Sequence, residues 1–153
     1  MQSQGSSFDT RKKLLEEQRL AVAVTDMQGR PYTSLVAFAA SADLRHIVFV
    51  TTRSTTKYRN LSAEPYVSLL IDSRTHSVED FSTGVAVTAL GKATEVVGKQ
   101  GEDLMGSFLR KHPHLDTFAR SPSTATFCVD IDIYYLVTRF QNVVEMDVRL
   151  WPS

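Results

Sequence analysis

The sequence predicts a mainly β fold, in which six or seven antiparallel strands form a closed or nearly closed barrel with flanking helices. Most apolar residues fall in short β-capable runs separated by turn signals. The connections between these runs are too short for the crossovers that parallel strands need. Only three short segments have helical character, which favours a barrel over a helical or α/β fold. At 153 residues, the chain is predicted to be a single domain over residues 1–153.

The first three strands are predicted over residues 20–25, 32–39 and 46–52. Gly29 lies in the short loop between the first two runs, which is typical of a β-hairpin. A second polar turn over residues 41–45 leads to the third run, so the first 52 residues predict an antiparallel meander.

Helices and further strands alternate over the rest of the chain. Ser54 or Thr55 is a suitable N-cap for a short helix, and Pro65 prevents its continuation. Gly91 interrupts a long strand and indicates a bulge. Strands are predicted over residues 66–72, 85–97, 127–133 and 143–148, one helical turn over 78–81, and a helix over 99–111.

Strand alternation also predicts which side chains fill the barrel. The predicted core comprises Val22, Val24, Leu35, Val48, Val50, Leu69, Ile71, Val129 and Ile131. Several strands are apolar on both faces. The barrel interior can bury only one of these faces, so the side chains on the other face need to be covered by something else. A homodimer is the predicted cover, and packing by the helix over 99–111 is the alternative.

Composition excludes several classes of partner. Seventeen Lys and Arg balance seventeen Asp and Glu, which argues against nucleic-acid and polybasic membrane surfaces. The single cysteine, Cys128, cannot form an intrachain disulfide, and this favours a cytoplasmic location. Neither a membrane-spanning run nor a signal peptide is recognisable.

The histidines show no metal-binding spacing, and no hydrolase elbow or P-loop motif is present, so no metal ligand or catalytic side chain is assigned. Residues 51–57 (TTRSTTK) are the clearest candidate site. In this segment a strand ends and a helix begins among several hydroxyls and two cations. The free N–H groups at the start of a helix can bind a phosphate, and the hydroxyls and cations add to this. A capped helix with solvated basic residues would show the same pattern.

Five segments resemble a known family when taken in order: LAVAVT (20–25), GRPYTSLVAF (29–38), IVFVTTRSTTKYRNL (47–61), EPYVSLLID (64–72) and VTALGKA (87–93). Together they resemble the FMN-binding split-barrel proteins related to pyridoxamine 5′-phosphate oxidase. The resemblance implies a split barrel of Greek-key type and a homodimer with FMN at each end of the subunit interface. It implies FMN contacts from Thr33, Ser34, Leu35, Val36, Thr51, Thr52, Arg53, Ser54, Lys57, Asn60, Arg74 and Gln141, with Ser54 and Lys57 at the phosphate.

The activity implied is that of a flavoprotein, an FMN-dependent oxidoreductase acting on an unidentified small molecule. Two alternatives stay open on the same barrel. One is a flavin-binding or sensory module without turnover. The other is a relative that handles a deazaflavin or haem.

Overall fold

A computed structural model of the chain describes residues 4–152. Within these residues the chain forms seven strands and five α-helices. The strands are β1 (Leu20–Met27), β2 (Arg30–Ala40), β3 (His46–Thr52), β4 (Tyr66–Asp72), β5 (Val85–Val96), β6 (Thr124–Thr138) and β7 (Asn142–Asp147); the helices are α1 (Gln4–Glu17), α2 (Thr56–Ala63), α3 (Asp80–Thr83), α4 (Gly98–Lys111) and α5 (Asp116–Ala119).

The strands form one antiparallel sheet in the order β3-β2-β1-β4-β5-β6-β7, and β3 also pairs with β6. Six strands therefore close a barrel, and β7 extends the sheet beyond it. Because β4 returns to lie beside β1 after the β1–β2–β3 meander, the topology is a Greek key. The predicted fold class is confirmed.

Local residue chemistry fixes two sharp features of the sheet. Gln28 and Gly29 both have positive φ between paired Met27 and Arg30, as a two-residue type I′ hairpin requires. The predicted bulge lies at Leu90/Gly91. A side chain at position 91 would collide with the main-chain oxygen of Asp130, so glycine lets β5 approach β6 closely there.

The barrel interior holds four of the predicted core residues, Leu69, Ile71, Val129 and Ile131. On β1 and β2 the predicted face is wrong. Ala21, Ala23, Val36 and Phe38 point inward, whereas Val22 and Val24 are half-buried and Leu35 is 66% exposed. The interior also takes Phe49, Phe127 and Tyr134. Alanines on β1 leave room for these rings.

Val48 and Val50 are buried, but outside the barrel, in a cluster with Phe108 and Leu109 of α4. The predicted helix over 99–111 is thus confirmed as a cover for the outer surface of β3. The sequence did not predict α1, which packs Leu14 and Leu15 against the barrel.

The outward face of β1, β2 and β4 is apolar and largely uncovered in the single chain. Leu20, Leu35 and Tyr66 are 55%, 66% and 61% exposed. Val22 pairs with Leu35 on one side and with Leu70 on the other, so these side chains form a continuous row. We call this row the β1–β2–β4 face. Among the described helices, none is long and apolar enough to cross a membrane.

Candidate functional site

A cavity of about 490 Å³ opens where β2, the end of β3 and the start of α2 meet the segment after α4. Its walls combine apolar side chains with hydroxyls, one lysine and two imidazoles. The lining residues are Arg19, Leu20, Leu35, Val36, Ala37, Val50, Thr51, Thr52, Thr55, Lys57, His112, His114, Leu115 and Phe118.

Lys57 is the most unusual residue of this cavity. Its side chain is buried, at 9% exposure, because it lies in the first turn of α2 against the barrel. Its ammonium donates one hydrogen bond, to Thr51 Oγ1 at 3.3 Å. No carboxylate of the described residues pairs with it, and burial lowers its pKa. A buried cation with one hydroxyl partner is costly unless an anion compensates it.

The hydroxyls beside Lys57 have a fixed hydrogen-bond order. Thr55 caps α2: its Oγ1 accepts from the amide of Tyr58 at 3.2 Å and donates to the carbonyl of Thr52 at 2.8 Å. Thr51 Oγ1 lies 3.2 Å from Thr55 Oγ1. Because the Thr55 proton is already used, Thr51 donates to Thr55 and accepts from Lys57.

This order leaves the ammonium with two unused N–H groups beside the start of α2. The positive end of the helix dipole adds to the lysine charge at the same place. The arrangement is therefore suited to an anion, above all one with several acceptor oxygens, such as a phosphate.

His112 gives the cavity a rigid polar wall. It is 1% exposed, and its Nε2 lies 2.7 Å from the carbonyl oxygen of Phe38. A carbonyl only accepts, so Nε2 carries the proton and Nδ1 is the acceptor. Burial lowers the pKa of His112 and keeps the ring neutral. The sequence did not predict this wall, because a histidine beside a proline at a helix end is also typical of a solvated surface.

Five of the residues predicted to contact a cofactor line this cavity: Leu35, Val36, Thr51, Thr52 and Lys57. Thr33 and Ser54 are exposed outside its walls, and Ser34 is half-buried on β2. Arg53 Nη1 pairs with Glu95 Oε2 at 2.8 Å, so its charge is already compensated. Asn60 donates to Thr25 Oγ1 at 3.0 Å inside the barrel and joins α2 to β1.

Arg74 and Gln141 lie at the other end of the barrel. Thr52, beside the cavity, pairs with the first residue of β6, Thr124, whereas the residues after Thr138 lead to Gln141. Arg74 lines a second cavity of about 290 Å³ with Phe81 and Phe140, whose rings meet edge to face at 5.3 Å. One copy of the chain therefore cannot bring Arg74 and Lys57 to the same small ligand.

Fold and cavity together define a class of protein, the Greek-key barrels with a side cavity suited to a small anionic ligand. A family model described as "Pyridoxamine 5'-phosphate oxidase" matches residues 8–142. The chain belongs to this family.

A curated relative, the pyridoxine/pyridoxamine 5'-phosphate oxidase of Streptomyces avermitilis, is 30% identical over 124 residues. The match covers 78% of this chain and 50% of the relative, so the chain spans about half the length of the curated protein.

Solved structures share the fold at low sequence identity. A haem-binding protein from Mycobacterium smegmatis has a TM-score of 0.83 at 14% identity, covering 95% of this chain and 60% of that one. An FAD-binding protein from Mesorhizobium loti has a TM-score of 0.64 at 19% identity, covering 81% and 88%. Proteins of this fold thus include both flavin and haem binders.

Proposed function

We propose that the chain binds FMN non-covalently in the 490 Å³ cavity and acts as an oxidoreductase on a small molecule. The observation that carries this proposal is Lys57, a buried ammonium at a helix start that pairs with no carboxylate in the part of the chain that the structure describes. A phosphate placed there supplies the missing negative charge. When bound, the flavin supplies the electron transfer, and the protein contributes binding and orientation.

The other cavity residues fit the remaining parts of such a ligand. The volume lies within the range of about 300–1,000 Å³ typical of small-molecule sites. Leu20, Leu35 and Val50 offer apolar surface for a flat ring system, and Leu115 and Phe118 add further apolar surface to the lining. His112 is held by its bond to Phe38 and presents an acceptor nitrogen. The lining is therefore suited to a planar phosphorylated cofactor, because its apolar residues would exclude water from the ring while its polar groups would bind it.

The site is completed, in our proposal, by a second copy of the chain on the β1–β2–β4 face. Leu20 and Leu35 belong both to this face and to the cavity wall. A partner covering the face would therefore also close the cavity against water. The partner's opposite barrel end could then supply Arg74 and Gln141, which a single copy holds too far away. We also propose a cytoplasmic location, in line with the single cysteine.

Haem is the second candidate ligand, and one observation favours it. His114 is exposed and lines the cavity beside His112, so an imidazole would be available to bind a haem iron. Lys57 would then pair with a haem carboxylate instead of a phosphate.

The visible spectrum of the purified protein, followed by mass analysis of the ligand released on denaturation, separates these candidates. FMN gives flavin absorption and a released flavin phosphate, whereas haem gives its Soret band. A deazaflavin is recognised by its own mass. If FMN is found, reduction of the bound flavin followed by mixing with candidate acceptors tests turnover. Flavin that binds but reoxidises with none of them would favour the binding module without catalysis.

A further inference from the structure

A second cluster of reactive side chains lies across the barrel from the β1–β2–β4 face, on the seam where β3 pairs with β6. It comprises His46, Cys128 and Asp130, whose ligand atoms all lie within 4.8 Å of one another. His46 Nε2 and Asp130 Oδ1 are 3.0 Å apart. The proposed cofactor cavity uses none of these residues.

Strand pairing accounts for the cluster. His46 lies directly opposite Asp130, and Val48 lies opposite Cys128. Cys128 and Asp130 are two residues apart on β6 and therefore share its outer face. His46 is far from Cys128 and Asp130 in sequence, and the pairing of β3 with β6 that closes the barrel brings it beside them.

The geometry points to a binding site for a divalent transition metal, with zinc as the best match. Imidazole nitrogen, thiolate sulfur and carboxylate oxygen are the three donor types that Zn²⁺ uses. Zinc–ligand bonds of about 2.0–2.3 Å place tetrahedral ligand atoms roughly 3–4 Å from each other, close to the spacing in the cluster. One thiolate and one carboxylate neutralise the two charges of the ion.

A nucleophilic cysteine is the competing interpretation, and the geometry opposes it. In a Cys–His–Asp arrangement, the cysteine and the aspartate contact different ring nitrogens. Here Asp130 Oδ1 contacts His46 Nε2 at 3.0 Å, and Cys128 approaches the ring from the same face of the same strand as Asp130, whereas such a relay needs the two side chains on opposite sides of the imidazole. Burial and the nearby Asp130 also raise the pKa of the Cys128 thiol to about 11, whereas activated cysteines have a lowered pKa.

The proposed metal site is open to solvent on one side and is flanked by residues of β5 on the other. The side chains of His46 and Asp130 are 44% and 67% exposed, so water can complete the coordination. On β5, Thr94 lies opposite Cys128 and the exposed Lys92 lies opposite Asp130. The Lys92 cation opposes metal binding, and Lys92→Ala should tighten it. An ion at this place would tie β3 to β6 and stabilise the closed barrel.

Cobalt titration of the chelator-treated, flavin-free chain tests the site. Co²⁺ bound by a thiolate gives a charge-transfer absorption band, and the chain has one cysteine, so the band reports Cys128 alone. We expect one equivalent of Co²⁺ with this band, displacement by Zn²⁺, and no competition by Mg²⁺, which prefers oxygen ligands. Added Zn²⁺ should raise the melting temperature.

Variants decide whether the cluster holds the ion. Cys128→Ser should abolish the band, and His46→Ala and Asp130→Asn should each weaken Co²⁺ binding at least about tenfold. His76→Ala, in an exposed loop, and Lys57→Met, in the cofactor cavity, should bind Co²⁺ as the unmodified chain does.

Two results would overturn the inference: no thiolate band in the unmodified chain, or unchanged affinity in both His46→Ala and Asp130→Asn. The His46 side chain is partly exposed and that of Asp130 largely exposed, so we expect their replacement to leave the fold intact even where Cys128→Ser does not. Because the experiment contains no flavin, its outcome is independent of the proposed function.

Discussion

Replacing Lys57 by methionine should weaken FMN binding while stabilising the flavin-free protein. The ammonium can donate two further hydrogen bonds beyond the one to Thr51. Hydrogen bonds to charged groups contribute about 1.5–3 kcal/mol, so the dissociation constant for FMN should rise about 10- to 100-fold. Methionine keeps the length of the side chain and packs against the same apolar wall.

The stabilising effect follows from the direction of the pKa shift. Burial lowers the pKa of Lys57 in the folded state, so the unfolded chain binds the proton more tightly. At neutral pH the charge therefore destabilises the fold, and this cost diminishes as the pH rises from the folded towards the unfolded pKa. Lys57→Met should raise the urea midpoint of the flavin-free protein at neutral pH and remove this pH dependence.

Calorimetric titration with FMN and with riboflavin isolates the phosphate contribution. Riboflavin lacks the phosphate, so its affinity should be nearly equal in the unmodified chain and in Lys57→Met. Lys99→Ala, an exposed lysine of α4, serves as the matched control. Equal losses of affinity for FMN and riboflavin, or no loss for either, would refute the placement of the phosphate at Lys57.

Three further variants test the fold, the cavity wall and the partner face. Gly91→Ala should destabilise the barrel by about 2 kcal/mol or more in urea unfolding, because its Cβ collides with the Asp130 carbonyl. His112→Ala should cost about 1–3 kcal/mol, since a buried carbonyl of β2 loses its donor. Burial lowers the pKa of His112, so this variant should also lose less stability than the unmodified chain as the pH falls below about 6.5. Leu35→Asp should convert a dimer to a monomer in light scattering, while the equally exposed Val97→Asp should not.

Each of these has a contradicting result. Unchanged unfolding of Gly91→Ala would mean that β5 is farther from β6 than described. An identical pH dependence with and without His112 would mean that its ring is not buried as a neutral donor. A monomeric mass for the unmodified chain would reject the proposed partner on the β1–β2–β4 face.

Strand positions could be predicted from the sequence because short apolar runs are separated by clear turn residues. The side chains that point into the barrel could be predicted only on strands where apolar and polar residues alternate clearly, as for Leu69 and Val129. On β1 both faces are apolar, and the inner one is set by the volume that Phe49 and Phe127 occupy from other strands. Helix α1 escaped prediction because Arg11 takes a fully buried position on it, which weakens its amphipathic pattern.

In the candidate site, too, some residues could be predicted from the local sequence and others could not. Lys57, Thr51 and Thr55 lie within seven residues of sequence, so their meeting at a helix start was visible in the pattern. His112 and Phe118 reach the cavity only because α4 packs on the outside of β3. The His46–Cys128–Asp130 cluster depends on the β3–β6 register, which no local pattern encodes. Contacts between β3 and β6 could therefore not be predicted from the sequence.

The docking of α1 constrains the order in which the chain can fold during synthesis. Arg11 Nη2 donates to the carbonyl of Val144, 133 residues later in the chain, at 2.9 Å. Phe8 meets Trp151 edge to face at 5.7 Å. The residues that α1 packs against are therefore synthesised long after α1 itself has left the ribosome. In the same way, one edge of β3 stays unpaired until β6 has been synthesised. Such an edge is prone to pairing with other chains. We expect the final closure to occur after translation, with the nascent meander most dependent on chaperones just before β6 appears.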